Sequence, residues 1–146
     1  MENHQLGTEI ADALGLLLRR STRARLYGRL TDGLPVDEFG YPVLSALARA
    51  GACSAAELAG EVGLDRTVVT RRATHLETAG LLRREPDPAD RRATLLLLTD
   101  EGTAVVAELR RRLATLIADS LHDWPPTEAQ AFAAGLTRFV ADGPFS

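Results

Sequence analysis

The sequence predicts a mainly α chain with one small β-hairpin, an α+β arrangement. Three observations carry that prediction. Apolar residues recur at spacings of three and four along most of the chain, the period of an amphipathic helix. Ser54, Asp65, Thr99 and Thr127 each precede such a stretch, and these residue types satisfy free amides at a helix start. One region breaks the pattern. There LLRRE (81–85) and ATLLLL (93–98) flank Pro86, Asp87, Pro88 and Asp90, and two short runs joined by proline and aspartate read as a hairpin.

Taken in order, residues 6–30 read as one helix. Ile10, Ala13, Leu14, Leu17 and Leu18 make its stripe, Arg19, Arg20, Arg23, Arg25 and Arg29 crowd its second half, and TDGLP (31–35) breaks it. The next helix carries Leu44, Leu47 and Ala48 on one face. Pro42 would clash with a preceding turn, so this helix either starts near Tyr41 with Pro42 in its first turn or is kinked. Ser54-Ala-Ala-Glu57 is a capping box, in which the serine accepts from the Glu57 amide and the glutamate reaches back to the Ser54 amide. Leu58 and Val62 then point inward, and Gly63 suits a left-handed stop. Asp65 caps a new helix at once, with Val69, Ala73 and Leu76 as its buried stripe and Gly80 at its end.

In the hairpin, Leu96 and Leu98 alternate inward. Thr99 caps a long helix whose first turn holds Asp100 and Glu101, the sign that the helix dipole favours. Val105, Leu109, Leu113, Leu116 and Ser120 run along one side, and Pro125-Pro126 ends it. Thr127 with Gln130 makes a second capping box, and the last helix shows Phe132, Leu136, Phe139 and Val140.

A length of 146 residues fits one domain or a compact two-part unit. The longest clean apolar stretch (13–18) is far short of the roughly 20 residues a membrane helix needs. MENHQLGTEI shows neither a basic nor an apolar leader region, so the expected location is cytoplasmic, with no membrane partner. The single cysteine, Cys53, cannot build an internal disulfide framework. His4, His75 and His122 share no metal-type spacing, so no metal or other cofactor is expected. No Ser/His/Asp grouping or glycine-rich phosphate loop appears, which argues against an enzyme.

Net charge is −3, yet the distribution is uneven. All 17 basic residues are arginine. Between Arg66 and Arg92 seven arginines stand against four acids, a positive island in an acidic chain. Such an island fits a nucleic-acid footprint; charge alone fits a solvated arginine-rich surface equally well.

The middle of the chain (54–98) is thus a helix-turn-helix followed by a hairpin, which is a winged helix. The first helix and the last two carry apolar faces that so small a module cannot cover. They predict a partner, most simply a second copy of the chain.

The stretch SAAELAGEVGLDRTVVTRRATHLETAGLLRREPDPADRRATLLLLTDEG resembles the MarR family of winged-helix transcriptional regulators. The resemblance rests on ELA in the first helix of the motif, LDRT opening the second, HLETAGLLRR closing it, and DPADRR with LTDEG across the wing. It implies one domain over residues 1–146, with a winged DNA-binding lobe (35–99) and dimerisation helices (1–31 and 100–146). It also implies a homodimer on a pseudo-palindromic double-stranded operator. Such regulators commonly repress, and a small phenolic or lipophilic ligand, or thiol oxidation, releases them. A ligand pocket is expected between the dimerisation helices and the winged lobe. Phe39, Tyr41 and Trp124 are candidate lining residues, although ordinary packing explains each as well.

In that reading the second helix of the motif enters the major groove. Its outward set is Arg66, Thr67, Val68, Thr70, Arg71, Thr74 and His75. Arg71 is the first candidate for guanine, since arginine pairs bidentately with that base. Thr67 and Val68 would meet a thymine methyl or base edge, and Arg66 a base or a phosphate. Thr70 belongs to the same candidate contact set. Arg72 stands where the family has an apolar residue, and two uses stay open for it: a packed stem with its head in solvent, or a phosphate contact. His75 is open between phosphate and plain surface.

Ser54, at a helix N-terminus, offers a phosphate site, while capping explains it equally. The resemblance also implies that Arg92 enters the minor groove with Asp90 orienting its guanidinium, and that Arg91 serves a phosphate. Narrow A·T-rich grooves favour such an insertion. Two alternatives remain: a winged helix used for protein contact without operator binding, and a redox regulator acting through Cys53, whose place before a capping box suits a small buried hydrophobe.

Overall fold

The computed structural model describes residues 1–145. In chain order the elements are α1 (Glu2–Leu17), α2 (Arg20–Thr31), α3 (Tyr41–Ala50), α4 (Ala55–Val62), α5 (Arg66–Thr78), β1 (Leu82–Pro86), β2 (Thr94–Leu98), α6 (Asp100–Ser120) and α7 (Pro126–Asp142). The chain divides into two compact units, Met1–Arg110 and the part from Arg111 on, so the boundary falls within α6. Among the described residues, seven helices and a two-stranded antiparallel hairpin match the expected mainly helical class.

The core of the first unit follows the periodicity. Leu30, Val43, Leu44, Leu47, Leu58, Val69, Ala73, Leu76, Leu81, Leu82 and Leu96 are all buried. They come from α2, α3, α4, α5 and the hairpin, so the helix-turn-helix and the wing share one apolar centre. The strands pair Leu82 with Leu98 and Pro86 with Thr94. Cys53 extends this sheet from outside: its amide donates to the Leu96 carbonyl at 3.3 Å, and the Leu96 amide donates to its carbonyl at 2.8 Å.

Several expectations need correction. Residues 6–30 do not form one helix. Leu18 closes α1, and Arg19 is extended at φ −58° and ψ 138°. In an unbroken helix the Leu16 carbonyl would accept from the amide four residues on; instead the Thr22 hydroxyl donates to it at 2.8 Å. A short polar side chain thus competes with the ladder. Ala48 is exposed, and Val43 and Ala46 join Leu44 and Leu47 on the buried face of α3. That helix begins at Tyr41 with Pro42 in its first turn, the unkinked alternative.

Capping differs as well. Ser54 Oγ accepts from the Glu57 amide at 3.1 Å, but Glu57 Oε1 takes the Ser54 hydroxyl rather than its amide. Asp65 occupies the N-cap of α5 without a side-chain bond. Thr127 and Gln130 lie inside α7, because Pro126 starts that helix with its backbone already at a helical φ. α6 ends at Ser120, five residues ahead of Pro125.

In the second unit, Trp124 packs on Phe132 with ring centroids 5.3 Å apart, and Phe139 meets Phe145 edge-on at 5.6 Å. Phe132, Leu136 and Val140 are exposed on α7, as are Leu6, Ile10, Leu16 and Leu17 on α1. No helix among the described residues is long and apolar enough to cross a membrane.

Candidate nucleic-acid interface

α5 buries Val69, Ala73 and Leu76 in the core. Helical geometry then turns Arg66, Thr67, Thr70, Arg71, Thr74 and His75 outward, and all six are exposed. Val68 and Arg72 flank the buried stripe and are half-buried.

The seven arginines of the positive island separate into distinct environments. Arg83 pairs with Glu85 along β1. Arg84 donates to Glu77 Oε1 at 2.6 Å and to the Thr74 hydroxyl at 3.2 Å, which ties the wing to α5. Arg66, Arg71, Arg91 and Arg92 are exposed and make no ion pair among the described residues. These four are open to phosphates or bases, while Arg84 serves the fold. The sequence offers Arg66, Arg71, Arg72, Arg91 and Arg92 as DNA contacts and neither Arg83 nor Arg84, but it names no partner for those two.

Arg72 is the remaining case. Its guanidinium carbon lies 5.6 Å from the centre of the Phe39 ring, within cation–π range. Phe39 sits in the turn before α3, where Asp37 Oδ1 accepts from the amides of Phe39 (3.0 Å) and Gly40 (2.8 Å). A cleft of about 400 Å³ between this turn and α5 is lined by Phe39, Arg71, Arg72 and His75 over an apolar floor of Val36 and Leu76. The position of Arg72, beside the buried stripe, was the one signal in the sequence; nothing there pointed to Phe39 as its partner.

The wing tip is built from backbone turns. The Asp87 amide donates to Ala93 at 3.0 Å, and the Ala93 amide donates to Asp90 at 3.0 Å. Asp87 Oδ1 accepts from the Ala89 amide at 2.9 Å. Asp90 Oδ1 accepts from the Arg92 amide at 3.0 Å. Asp90 therefore shapes the backbone under Arg92 instead of gripping its guanidinium, which corrects the expected pairing.

Ser54 is half-buried at the start of α4, with its hydroxyl already given to Glu57. Cys53 is only 4% exposed. Burial first, then the charges of Glu57 and Glu61, push its thiol above the ordinary value. Reactive cysteines have the opposite environment. Of the candidate pocket residues, only Phe39 lines the cleft beside α5. Tyr41 stacks on Tyr27 at 4.4 Å, and Trp124 lies in the second unit against Phe132.

Residues 40–93 match the model of the MarR family. The transcriptional regulator PecS of Dickeya dadantii (strain 3937) is 36% identical over 69 residues, covering 45% of this chain and 42% of the relative. The chain thus spans about two fifths of the length of the curated relatives it matches. Among solved structures, BpsR of Bordetella bronchiseptica superposes with a TM-score of 0.63 at 28% identity, over 89% of this chain and 99% of that one. Apo MarR from E. coli shares the fold with a TM-score of 0.77 at 20% identity, over 89% and 95%.

Proposed function

We propose that this chain, whose residues 40–93 match the model of the MarR family, is a transcriptional regulator that binds specific double-stranded DNA as a homodimer. The carrying observation is the pair of unpaired arginine sets on one core, Arg66 and Arg71 on α5 and Arg91 and Arg92 at the wing tip. Arginines held by carboxylates would have supported a plain surface instead.

In this reading α5 lies in the major groove. Arg71 reads guanine, and Thr67, Val68 and Thr70 meet neighbouring base edges or thymine methyls. Arg66 and Arg91 neutralise phosphates, and the amides at the Ser54 end of α4 donate to one. Arg92 enters the minor groove, with Asp90 holding the turn beneath it. The apolar faces of α1 and α7 supply the dimer contact. Two copies then meet two half-sites of a pseudo-palindrome. Residues 35–99 form the binding lobe, and residues 1–31 and 100–146 the dimerisation helices. The cytoplasm is the compartment this reading assigns to it.

Regulation of DNA binding by 6-hydroxynicotinic acid in BpsR supports a chain whose DNA binding answers to a small molecule; repression, and release by a phenolic or lipophilic compound, follow from the family resemblance. The buried, protonated Cys53 thiol argues against a redox trigger.

The test is a mobility shift with DNA from the protein's own upstream region across a salt series, alongside sedimentation of the free protein. A dimer that shifts this DNA, with affinity falling steeply as salt rises, fits counterion release from several phosphates. No shift at low salt overturns the operator reading. A monomer overturns the dimer.

A further inference from the structure

Arg72 and Phe39 carry a feature that the helix-turn-helix does not require. Phe39 is 57% exposed, so burial does not explain a large aromatic ring there. Its turn is nevertheless closely bonded and packed. Asp37 holds two of its amides, and a Cβ on Gly40 would stand 3.0 Å from Val36 and 3.1 Å from Leu76, so the turn is pressed against α5. Arg72 reaches out from beside the buried stripe of α5 and places its guanidinium over this ring. It has no carboxylate partner among the described residues. A cation–π contact leaves the charge in place and leaves the N–H donors available. Arginine's rotamer entropy is then partly removed before any ligand arrives.

We propose that Phe39 is a positioning residue that presents Arg72 as a phosphate clamp, which makes the turn between α2 and α3 part of the nucleic-acid interface. The proposal rests on the operator-binding reading and extends it to a residue outside the helix-turn-helix. Arg72 would touch a phosphate beside the recognition helix and carry no base information. Its loss should therefore weaken all sequences alike, unlike the loss of a base-reading residue. Phe39 would act only through Arg72.

The experiment combines two readouts on the full chain. The first is NMR of the Arg72 side chain in the free protein. The Phe39 ring should shift its side-chain protons, and Phe39→Leu should abolish that shift while Phe39→Tyr keeps it. The second is a double-mutant cycle on operator and non-specific DNA. Arg72→Ala is expected to weaken both by a similar factor and to lower the salt slope by about 1. Phe39→Leu should weaken binding about threefold, Phe39→Tyr should restore it, and Phe39→Leu should add nothing in the Arg72→Ala background. Phe39 is exposed, so these variants should keep the parent's melting curve.

A missing ring shift overturns the pair itself. Wild-type binding that survives Arg72→Ala unchanged, or additive losses in the cycle, overturn the clamp and leave the operator reading standing. A normal ring shift with no DNA binding by the wild type overturns the operator reading, and the clamp with it.

Discussion

The Thr99 hydroxyl donates to the Gly80 carbonyl at 2.6 Å while its oxygen accepts from the Gly102 amide at 3.0 Å. One side chain thus closes the end of α5, the exit of β2 and the start of α6. Thr99→Val keeps the shape but removes both bonds. The expected cost is about 1–2 kcal/mol in urea unfolding. Thr99→Ser should stay within a few tenths of that scale from the parent.

Gly102 reverses an ordinary rule. Alanine usually stabilises a helix relative to glycine by about 1 kcal/mol. Here a Cβ would lie 1.9 Å from the Leu81 carbonyl oxygen, which is backbone and cannot swing aside. Gly102→Ala is therefore expected to destabilise by about 1–3 kcal/mol, read from the urea midpoint. A gain in stability would mean that α6 sits farther from Leu81.

At the wing tip, Arg92→Ala should weaken operator binding by at least about tenfold with the melting curve intact, because the exposed guanidinium supports no core contact. Asp90→Ala should weaken it less, since the aspartate acts on the Arg92 amide and not on the charge. An unchanged affinity in titrations of Arg92→Ala removes the wing from the mechanism.

Arg84 and Arg71 should part company under the same assay. Arg84→Gln breaks the link to Glu77 and Thr74. That pair is partly exposed, so the loss of stability should not exceed about 1 kcal/mol and should shrink in salt. Its effect on DNA affinity should be small. Arg71→Ala should leave stability alone and relax preference at one base pair.

Cys53 yields a pH prediction. Its thiol is raised above the ordinary 9.0, by burial first and then by Glu57 and Glu61. The folded state therefore holds the proton more tightly than the unfolded chain. The stabilisation is full below the unfolded-state pKa and is lost as pH rises through the folded one. Urea midpoints should decline as pH rises past that ordinary thiol value. Iodoacetamide should react slowly near neutrality with the native protein and readily with the unfolded chain. Fast native alkylation at pH 7 would place the thiol at the surface.

Much of the fold is legible locally. The period in Val69, Ala73 and Leu76 orients α5, and the same period exposes Arg71 and Thr67. Pro86, Asp87, Pro88 and Asp90 announce the wing. Reading failed at helix ends, where one or two residues decide the boundary. Thr22 takes the Leu16 carbonyl and splits the first helix. Pro126 starts α7 ahead of Thr127. Asp65 sits at a cap position without bonding there.

By itself the sequence determined the element order, the buried stripes, the family resemblance and the arginine-rich island, because each is carried by residue types and spacings along the chain and needs no knowledge of which distant residues meet. Tertiary structure alone decided which arginines are free. Arg84 is held by Glu77 and Arg72 rests on Phe39, while Arg71 and Arg92 stay open. A guanidinium has one charge and a long stem whatever its neighbours. Its availability depends on which carboxylate or ring packing brings within reach, and that partner can lie 33 positions away, as Phe39 lies from Arg72.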